Sequence, residues 1–132
     1  VYNVTKAFLK PLKSTKGSIV NIGSIQSQVP TGNAEVYTVA KHGVLGFTRA
    51  LAAELGPEGI RVNAIGPGLI RTPLNAENRN NTDMEARFVA QTQLRRPGEA
   101  EDIAGPAIFL ASDLSAFVTG VLIPADGGYL TL

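Results

Sequence analysis

The sequence predicts an α/β fold in which helices alternate with the strands of a parallel β-sheet. Short apolar segments rich in β-branched residues are typical of buried strands, and longer segments repeat apolar residues every three or four positions, as amphipathic helices do. Their alternation along the chain is the pattern of βαβ units. The length agrees, because 132 residues with 44% hydrophobic and 17% charged residues suit one well-buried domain.

The first half of the chain predicts a helix, a strand, a loop and the longest helix. The loop is rich in Gly, Ser, Pro and Thr, and the longest helix keeps its apolar repeat until Gly56 and Pro57 interrupt it. In chain order these elements are the helix 1–13, a turn at 14–17, the strand 18–22, the loop 23–35 and the helix 36–55.

The second half continues the alternation around a polar middle segment. Gly66, Pro67 and Gly68 close the next strand, and the bunched asparagines that follow predict a mobile stretch containing one short helix. In chain order these elements are the strand 60–65, the mobile segment 69–95 with its helix near 83–94, the helix 99–111 and the strand 121–124.

Three loops are expected to meet at one edge of the sheet, where each follows a strand. They are the loops 23–35, 66–75 and 124–128. Ligands of parallel α/β sheets bind at the carboxyl ends of the strands. The functional site is therefore expected on this edge.

Composition excludes several kinds of chemistry. The chain has no Cys and one His, which removes disulfides, thiolate nucleophiles and a metal site built by the protein. A net charge of +1 favours neither nucleic acid nor a membrane as partner. No apolar run reaches the roughly 18 residues of a membrane-spanning helix, and no secretory signal is present, so a cytoplasmic protein is expected. Val1 already lies within a helical pattern, so we expect the sequence to begin partway through an element.

Two hydroxyls and one ammonium are the candidate chemical groups. Tyr37 and Lys41 lie four residues apart in the longest helix, which places them on one face, one turn apart. An ammonium beside a phenol favours the phenolate, so Tyr37 is a candidate acid–base. Ser24 follows the first strand on the ligand edge, where it can donate a hydrogen bond to a substrate oxygen. Each feature has a structural interpretation too, as a solvated helix face and as a turn cap, but the combination is far rarer.

These residues belong to a larger set of motifs at characteristic spacings. The set comprises Ser24, the run Tyr37-Thr38-Val39-Ala40-Lys41, the stretch from Ile60 to Gly68 and the closing Asp126-Gly127-Gly128. Together they closely resemble the C-terminal half of the short-chain dehydrogenase/reductase family. The resemblance implies a Rossmann-like doubly wound parallel sheet whose N-terminal βαβ units are missing from this chain, with 1–132 as the C-terminal part of a single NAD(P)-binding domain.

The resemblance implies a role for each matched residue. Tyr37 matches the catalytic acid–base of the family, and Ser24 matches the serine that orients and polarises the substrate oxygen. Lys41 matches the lysine that favours the phenolate and hydrogen-bonds the nicotinamide ribose, so Tyr37 and Lys41 are expected to contact the cofactor as well. The positions that match further nicotinamide contacts are Pro67, Gly68, Ile70 and Thr72.

Two parts of the family pattern are absent from the sequence. A glycine-rich phosphate turn does not occur, since Thr31-Gly32-Asn33 has a single Gly and does not directly follow a strand. The family's catalytic asparagine is expected about four residues before Val1, so Asn3 is not that residue. The residue that selects between NAD and NADP also falls outside the chain, and the choice of cofactor stays open.

The leading hypothesis is an oxidoreductase that transfers a hydride between a nicotinamide cofactor and an alcohol or carbonyl substrate. Polar side chains in the loop 23–35 and the segment 69–95 suit a sugar, polyol or sugar acid, with Ser24 and Gln26 as substrate contacts. A 3-oxoacyl-carrier reductase is the main alternative within the family.

Two hypotheses come from other classes. The chain alone is expected to be inactive, and it can be a non-catalytic fragment that acts only in subunit assembly. The helices 1–13 and 36–55 match those that pair subunits in the family, which implies a homo-oligomer, either a dimer or a homotetramer. A hydrolase that uses Ser24 and Lys41 would stay active in Tyr37→Phe, whereas a dehydrogenase would not.

Overall fold

The computed structural model describes residues 1–32, 34–73 and 82–131, and it confirms the α/β fold that the sequence predicts. The helices and strands are α1 (Tyr2–Thr15), β1 (Ser18–Ile22), α2 (Glu35–Leu55), β2 (Arg61–Pro67), α3 (Thr82–Gln91), α4 (Ala100–Ala111) and β3 (Leu122–Ala125). Short 3₁₀ turns lie at Ile25–Ser27, Gly56–Glu58, Asp113–Ser115 and Tyr129–Thr131.

The strands of the described ranges form one parallel sheet in the order β1-β2-β3. In its register, Val20 lies opposite Asn63, and Ile65 lies opposite Ile123. Parallel pairing brings all carboxyl ends to the same edge, so the loops that follow the strands are neighbours, as the sequence predicts.

Helices cover both faces of the sheet. Val62 of β2 belongs to the same buried cluster as Leu55 of α2, whereas the guanidinium of Arg61 donates to the carbonyl oxygen of Leu110 in α4 at 2.9 Å. Successive side chains of a strand point to opposite faces, so α2 and α4 lie on opposite sides of β2. The apolar cluster on the α2 side consists of Leu9, Leu12, Ile19, Leu51, Ala52, Leu55, Ile60 and Val62.

Two elements end two residues later than the sequence predicts. Ser14 and Thr15 belong to α1 rather than to a turn, and their hydroxyls donate to the carbonyl of Pro11 at 2.9 and 3.0 Å. β2 continues through Gly66 and Pro67, because both residues pair with β3. The sequence predicts that a loop begins at these two residues, but they form the carboxyl end of a strand.

The polar middle segment contains the helix that the sequence predicts there. α3 ends at Gln91, before the predicted boundary, because the backbone N–H of Leu94 donates to the carbonyl of Gly127 at 3.0 Å instead of continuing the helix. The sequence predicts that the segment 69–95 is mobile, and part of this segment, 74–81, lies outside the described residues.

α2 is a long amphipathic helix of 21 residues, and its buried side chains recur at helical spacing. These buried residues are Leu45, Thr48, Ala52 and Leu55. Its exposed surface carries apolar residues, among them Val36 and Val39, as well as charged ones. Within the described ranges, α2 and the other helices lack the combination of length and apolar character that spanning a membrane requires.

Candidate active site

The carboxyl edge of the sheet brings together the loops that the sequence places there. The N–H of Gly23, after β1, donates to the carbonyl of Ile65 in β2 at 2.8 Å. The N–H of Gly68, after β2, donates to the carbonyl of Ala125 in β3 at 3.1 Å. These two bonds hold the three strand ends side by side.

Ser24 is buried, with 7% of its surface exposed, and it begins the 3₁₀ turn that follows β1. Its Oγ accepts from the backbone N–H of Gln26 at 3.1 Å, and its own N–H donates to Oγ of Ser27 at 3.2 Å. Ser24 therefore has the capping role that a serine at this place commonly has. A hydroxyl also carries one donor, and within the described residues the hydroxyl of Ser24 donates to no other group.

Tyr37 and Lys41 lie on one face of α2, as their spacing predicts. The Nζ atom of Lys41 lies 5.5 Å from the centroid of the Tyr37 ring. The same Nζ donates to the carbonyl of Ile22, the last residue of β1, at 3.0 Å. Lys41 thus reaches the strand end that precedes Ser24, and 48% of the Tyr37 surface stays exposed at this edge.

A side-chain hydrogen bond ties the turn of Ser24 to the helix of Tyr37. The hydroxyl of Thr38, the residue after Tyr37, donates to Oε1 of Gln26 at 2.7 Å. Spacing along the sequence cannot predict this bond, because its partners are 12 residues apart in different elements. The structure therefore gathers Ser24, Gln26, Tyr37 and Lys41 around the carboxyl end of β1.

Glycines allow the loops of this edge to approach each other closely. A Cβ atom on Gly66 would lie 2.5 Å from Cδ2 of Leu122 and 3.3 Å from the carbonyl oxygen of Ser24. A Cβ atom on Gly68 would lie 2.9 Å from Cα of Asp126. These glycines have a structural function in addition to any contact with a ligand.

Ile70 and Thr72 lie in the short connection that follows β2, and this connection pairs with Gly98, which is not part of the sheet. Ile70 forms a parallel bridge with Gly98, in which the N–H of Arg71 donates to the carbonyl of Gly98 and the N–H of Gly98 donates to the carbonyl of Leu69, both at 2.8 Å. Ile70 also lines a cavity of about 520 Å³. Ser24, Tyr37 and Lys41 are not among the described residues that line this cavity.

Ion pairs connect this part of the chain to α3 and α4. Arg71 binds Glu85 of α3 at 2.8 Å and Glu99 at 3.5 Å, and the hydrogen bond that Arg71 donates to Glu85 raises the pKa of Arg71 above its ordinary value. Arg96 binds both carboxylate oxygens of Asp102, at 2.6 and 2.9 Å. Arg96 therefore ties the segment that precedes α4 to the first turn of that helix. The bond between Gly98 and the connection after β2 joins distant parts of the chain and could not be predicted from the sequence.

Helices on both faces of a parallel sheet, with polar groups gathered at its carboxyl edge, define a protein of the doubly wound α/β class. The chain belongs to the short-chain dehydrogenase/reductase family, since the family model described as Enoyl-(Acyl carrier protein) reductase matches residues 1–130. The resemblance seen in the sequence is thereby confirmed.

Individual relatives differ in the reactions that their names describe. The 3-oxoacyl-[acyl-carrier-protein] reductase FabG of Chlamydia trachomatis is 40% identical over 97% of this chain and 51% of its own length. The 3-alpha-(or 20-beta)-hydroxysteroid dehydrogenase of Mycobacterium bovis is 41% identical over 93% of this chain and 45% of its own length. The chain spans about half the length of the curated relatives that it matches.

A solved structure with the same fold contains a nicotinamide cofactor. The gluconate 5-dehydrogenase from Burkholderia cenocepacia, in complex with NADP and tartrate, is 30% identical and superimposes with a TM-score of 0.95. The match covers 99% of this chain and 52% of that protein.

Proposed function

We propose that the protein containing this chain is an oxidoreductase that interconverts an alcohol and a carbonyl compound with NAD or NADP, and that this chain supplies the reacting edge. One observation carries the proposal. The ammonium of Lys41 lies 5.5 Å from the Tyr37 ring and is fixed to the end of β1, two residues before Ser24. A phenol, an ammonium and a serine hydroxyl at one strand end are the groups that carbonyl polarisation and proton transfer require.

The residues present at this edge fit a nicotinamide cofactor. Lys41 uses one of its three N–H donors on Ile22, so two remain for ribose hydroxyls. Pro67 ends β2 and Gly68 follows it at the same edge, where a flat ring can lie against the backbone. When bound, the cofactor supplies or accepts the hydride. The relative with bound NADP supports this assignment, and Ile70 and Thr72 are the further contacts that we propose.

In the proposed mechanism, each side chain has a separate function. The hydroxyl of Ser24 donates to the substrate oxygen and orients it. Tyr37 holds the proton at its phenolic oxygen, gives it to the carbonyl oxygen during reduction and takes it from the alcohol during oxidation. Lys41 stabilises the negative charge that Tyr37 carries after giving up its proton.

For the substrate we propose a sugar, polyol or sugar acid. The polar loop after β1, with Gln26 beside Ser24, supports this class, and the gluconate dehydrogenase among the relatives agrees with it. A 3-oxoacyl-carrier substrate is the alternative, which the similarity to FabG favours. We also propose a homo-oligomer paired through α1 and α2, since the exposed apolar side chains of these helices include Val4, Phe8, Val36 and Val39.

Replacing Tyr37 with Phe in the complete protein tests the proposed function. The change removes only the hydroxyl, so we expect kcat to fall by about 10²–10⁴-fold while binding of NAD(P) persists. Tyr2→Phe is the matched control, because Tyr2 lies on the exposed surface of α1 and should leave kcat unchanged. Oxidoreductase activity that survives in Tyr37→Phe would contradict the proposal.

Binding of the cofactor separates the remaining alternatives. We expect the 132-residue polypeptide to be inactive by itself, and titration with NADPH measures whether it binds the cofactor. If the complete protein neither binds NADPH or NADH nor turns over any alcohol, the assembly hypothesis replaces the enzyme hypothesis.

A further inference from the structure

A hydrogen bond from Thr38 holds the side-chain amide of Gln26 between the elements that carry Ser24 and Tyr37. Gln26 lies in the 3₁₀ turn that Ser24 begins, and its backbone N–H donates to Ser24 Oγ at 3.1 Å. The far end of its side chain meets Thr38, the neighbour of Tyr37, through the 2.7 Å bond from the Thr38 hydroxyl to Oε1. The side chain of Gln26 therefore bridges the elements that carry Ser24 and Tyr37.

The hydrogen bond from Thr38 determines which end of the Gln26 amide can bind a ligand. Oε1 accepts the hydrogen of Thr38, so the Nε2 atom with its two N–H donors is left. Within the described ranges, Nε2 of Gln26 has no hydrogen-bond partner. Gln26 is only half-buried, so these donors remain accessible to a ligand. The side chain of Gln26 accordingly presents hydrogen-bond donors near Ser24.

Resting on the function proposed above, we infer that Thr38 is a positioning residue that makes the enzyme prefer substrates with a second, acceptor-only oxygen beside the reacting carbon, as in a carboxylate or an ether. Ser24 receives the reacting oxygen, and the N–H groups of Gln26 donate to this second oxygen. Without the Thr38 hydroxyl, the amide can turn over and offer Oε1, which repels an oxygen that cannot donate a hydrogen bond. Thr38 thus acts on substrate choice through Gln26, without touching the substrate.

A matched pair of alcohols measures this preference in the complete protein. 2-Methoxycyclohexanol and 2-ethylcyclohexanol of the same configuration have nearly the same shape and differ by one ether oxygen, which can only accept a hydrogen bond, and their kcat/KM values are measured by oxidation with NAD⁺ or NADP⁺. We expect the wild-type protein to favour the methoxy alcohol about tenfold, which is the effect of one hydrogen bond to a half-exposed partner. The ratio of the two kcat/KM values is the readout.

Substitutions at Thr38 and Gln26 then test whether these two residues cause the difference in kcat/KM between the two alcohols. Thr38→Val keeps the shape and removes the hydroxyl, so the ratio should fall about tenfold, through a higher KM for the methoxy alcohol, while the ethyl alcohol keeps its KM. Thr38→Ser restores the hydroxyl and should keep the ratio. Gln26→Leu should bring the ratio close to one, and adding Thr38→Val to it should change nothing further, because the two residues act through one contact.

The outcomes distinguish this inference from the function on which it rests. A wild-type protein that oxidises both alcohols equally, or a ratio that Thr38→Val leaves unchanged, overturns the inference and leaves the oxidoreductase in place. Equal losses with both alcohols in Thr38→Val also overturn it, since a merely structural role has that effect. A wild-type protein without any nicotinamide-dependent activity overturns the proposed function first and the inference with it.

Discussion

Gly66→Ala tests whether close approach at the carboxyl edge is required for stability. The added methyl would lie 2.5 Å from Cδ2 and 3.3 Å from Cγ of Leu122, and 3.3 Å from the carbonyl oxygen of Ser24. Ordinary contacts between carbon atoms lie at about 3.5–4.0 Å, so Leu122 would have to move by about 1 Å. Overpacking of this kind costs roughly 1–3 kcal/mol, and we expect the free energy of unfolding to fall by that amount.

Unfolding of the complete protein in urea measures the loss, and a double-mutant cycle identifies its cause. Leu122→Ala removes the atoms that clash, so Gly66→Ala should cost at least about 1 kcal/mol less in that background than in the wild-type protein. Gly105→Ala is the control, because nothing lies within 4 Å of its added methyl in the middle of α4. Alanine is a better helix former than glycine, so the control should be neutral or more stable by up to about 1 kcal/mol.

Two results would refute this reasoning. If the Gly66→Ala variant unfolds at the same urea concentration as the wild-type protein, Leu122 makes room for the added methyl without loss of stability. Equal destabilisation in the wild-type and Leu122→Ala backgrounds would mean that the clash with Leu122 is not the cause.

Two further predictions concern the ends of α4. The hydrogen bonds from Arg96 and then from the backbone N–H of Glu99 hold the pKa of Asp102 well below its usual range. The ionised carboxylate therefore stabilises the folded state above about pH 4, the value of an unperturbed aspartate, and this contribution is lost as the pH falls towards the lower folded pKa. Asp102→Asn should remove that part of the pH dependence in urea unfolding between pH 7 and 3, and an unchanged profile would contradict it. Arg61→Lys should lower the free energy of unfolding by about 1–3 kcal/mol, because one ammonium cannot replace the guanidinium that donates to the carbonyls of Leu110 and Ser112 at 2.9 and 3.1 Å. Wild-type stability of Arg61→Lys would contradict this expectation.

The buried residues Asn21 and Asn63 show how much can be predicted from local sequence. Their position within strands indicates that their side chains bond to neighbouring polar groups. Asn63 does so, since it donates to the carbonyl of Val118 at 2.8 Å and accepts from the N–H of Val121 at 3.2 Å. Asn21 instead donates to the hydroxyl of Thr48 in α2 at 2.9 Å. The need for a partner follows from burial, but the partner's identity depends on which element packs there.

The sequence by itself determined the order of helices and strands, the parallel sheet and the shared face of Tyr37 and Lys41. These features follow from periodicity within a few residues, and a helix or strand imposes that periodicity wherever it lies. Tertiary structure alone decided that Thr38 orients Gln26, that Gly98 bridges Ile70 and that Gly66 makes room for Leu122. Each of these contacts joins residues from different elements, so its geometry depends on how the helices and loops pack around the sheet.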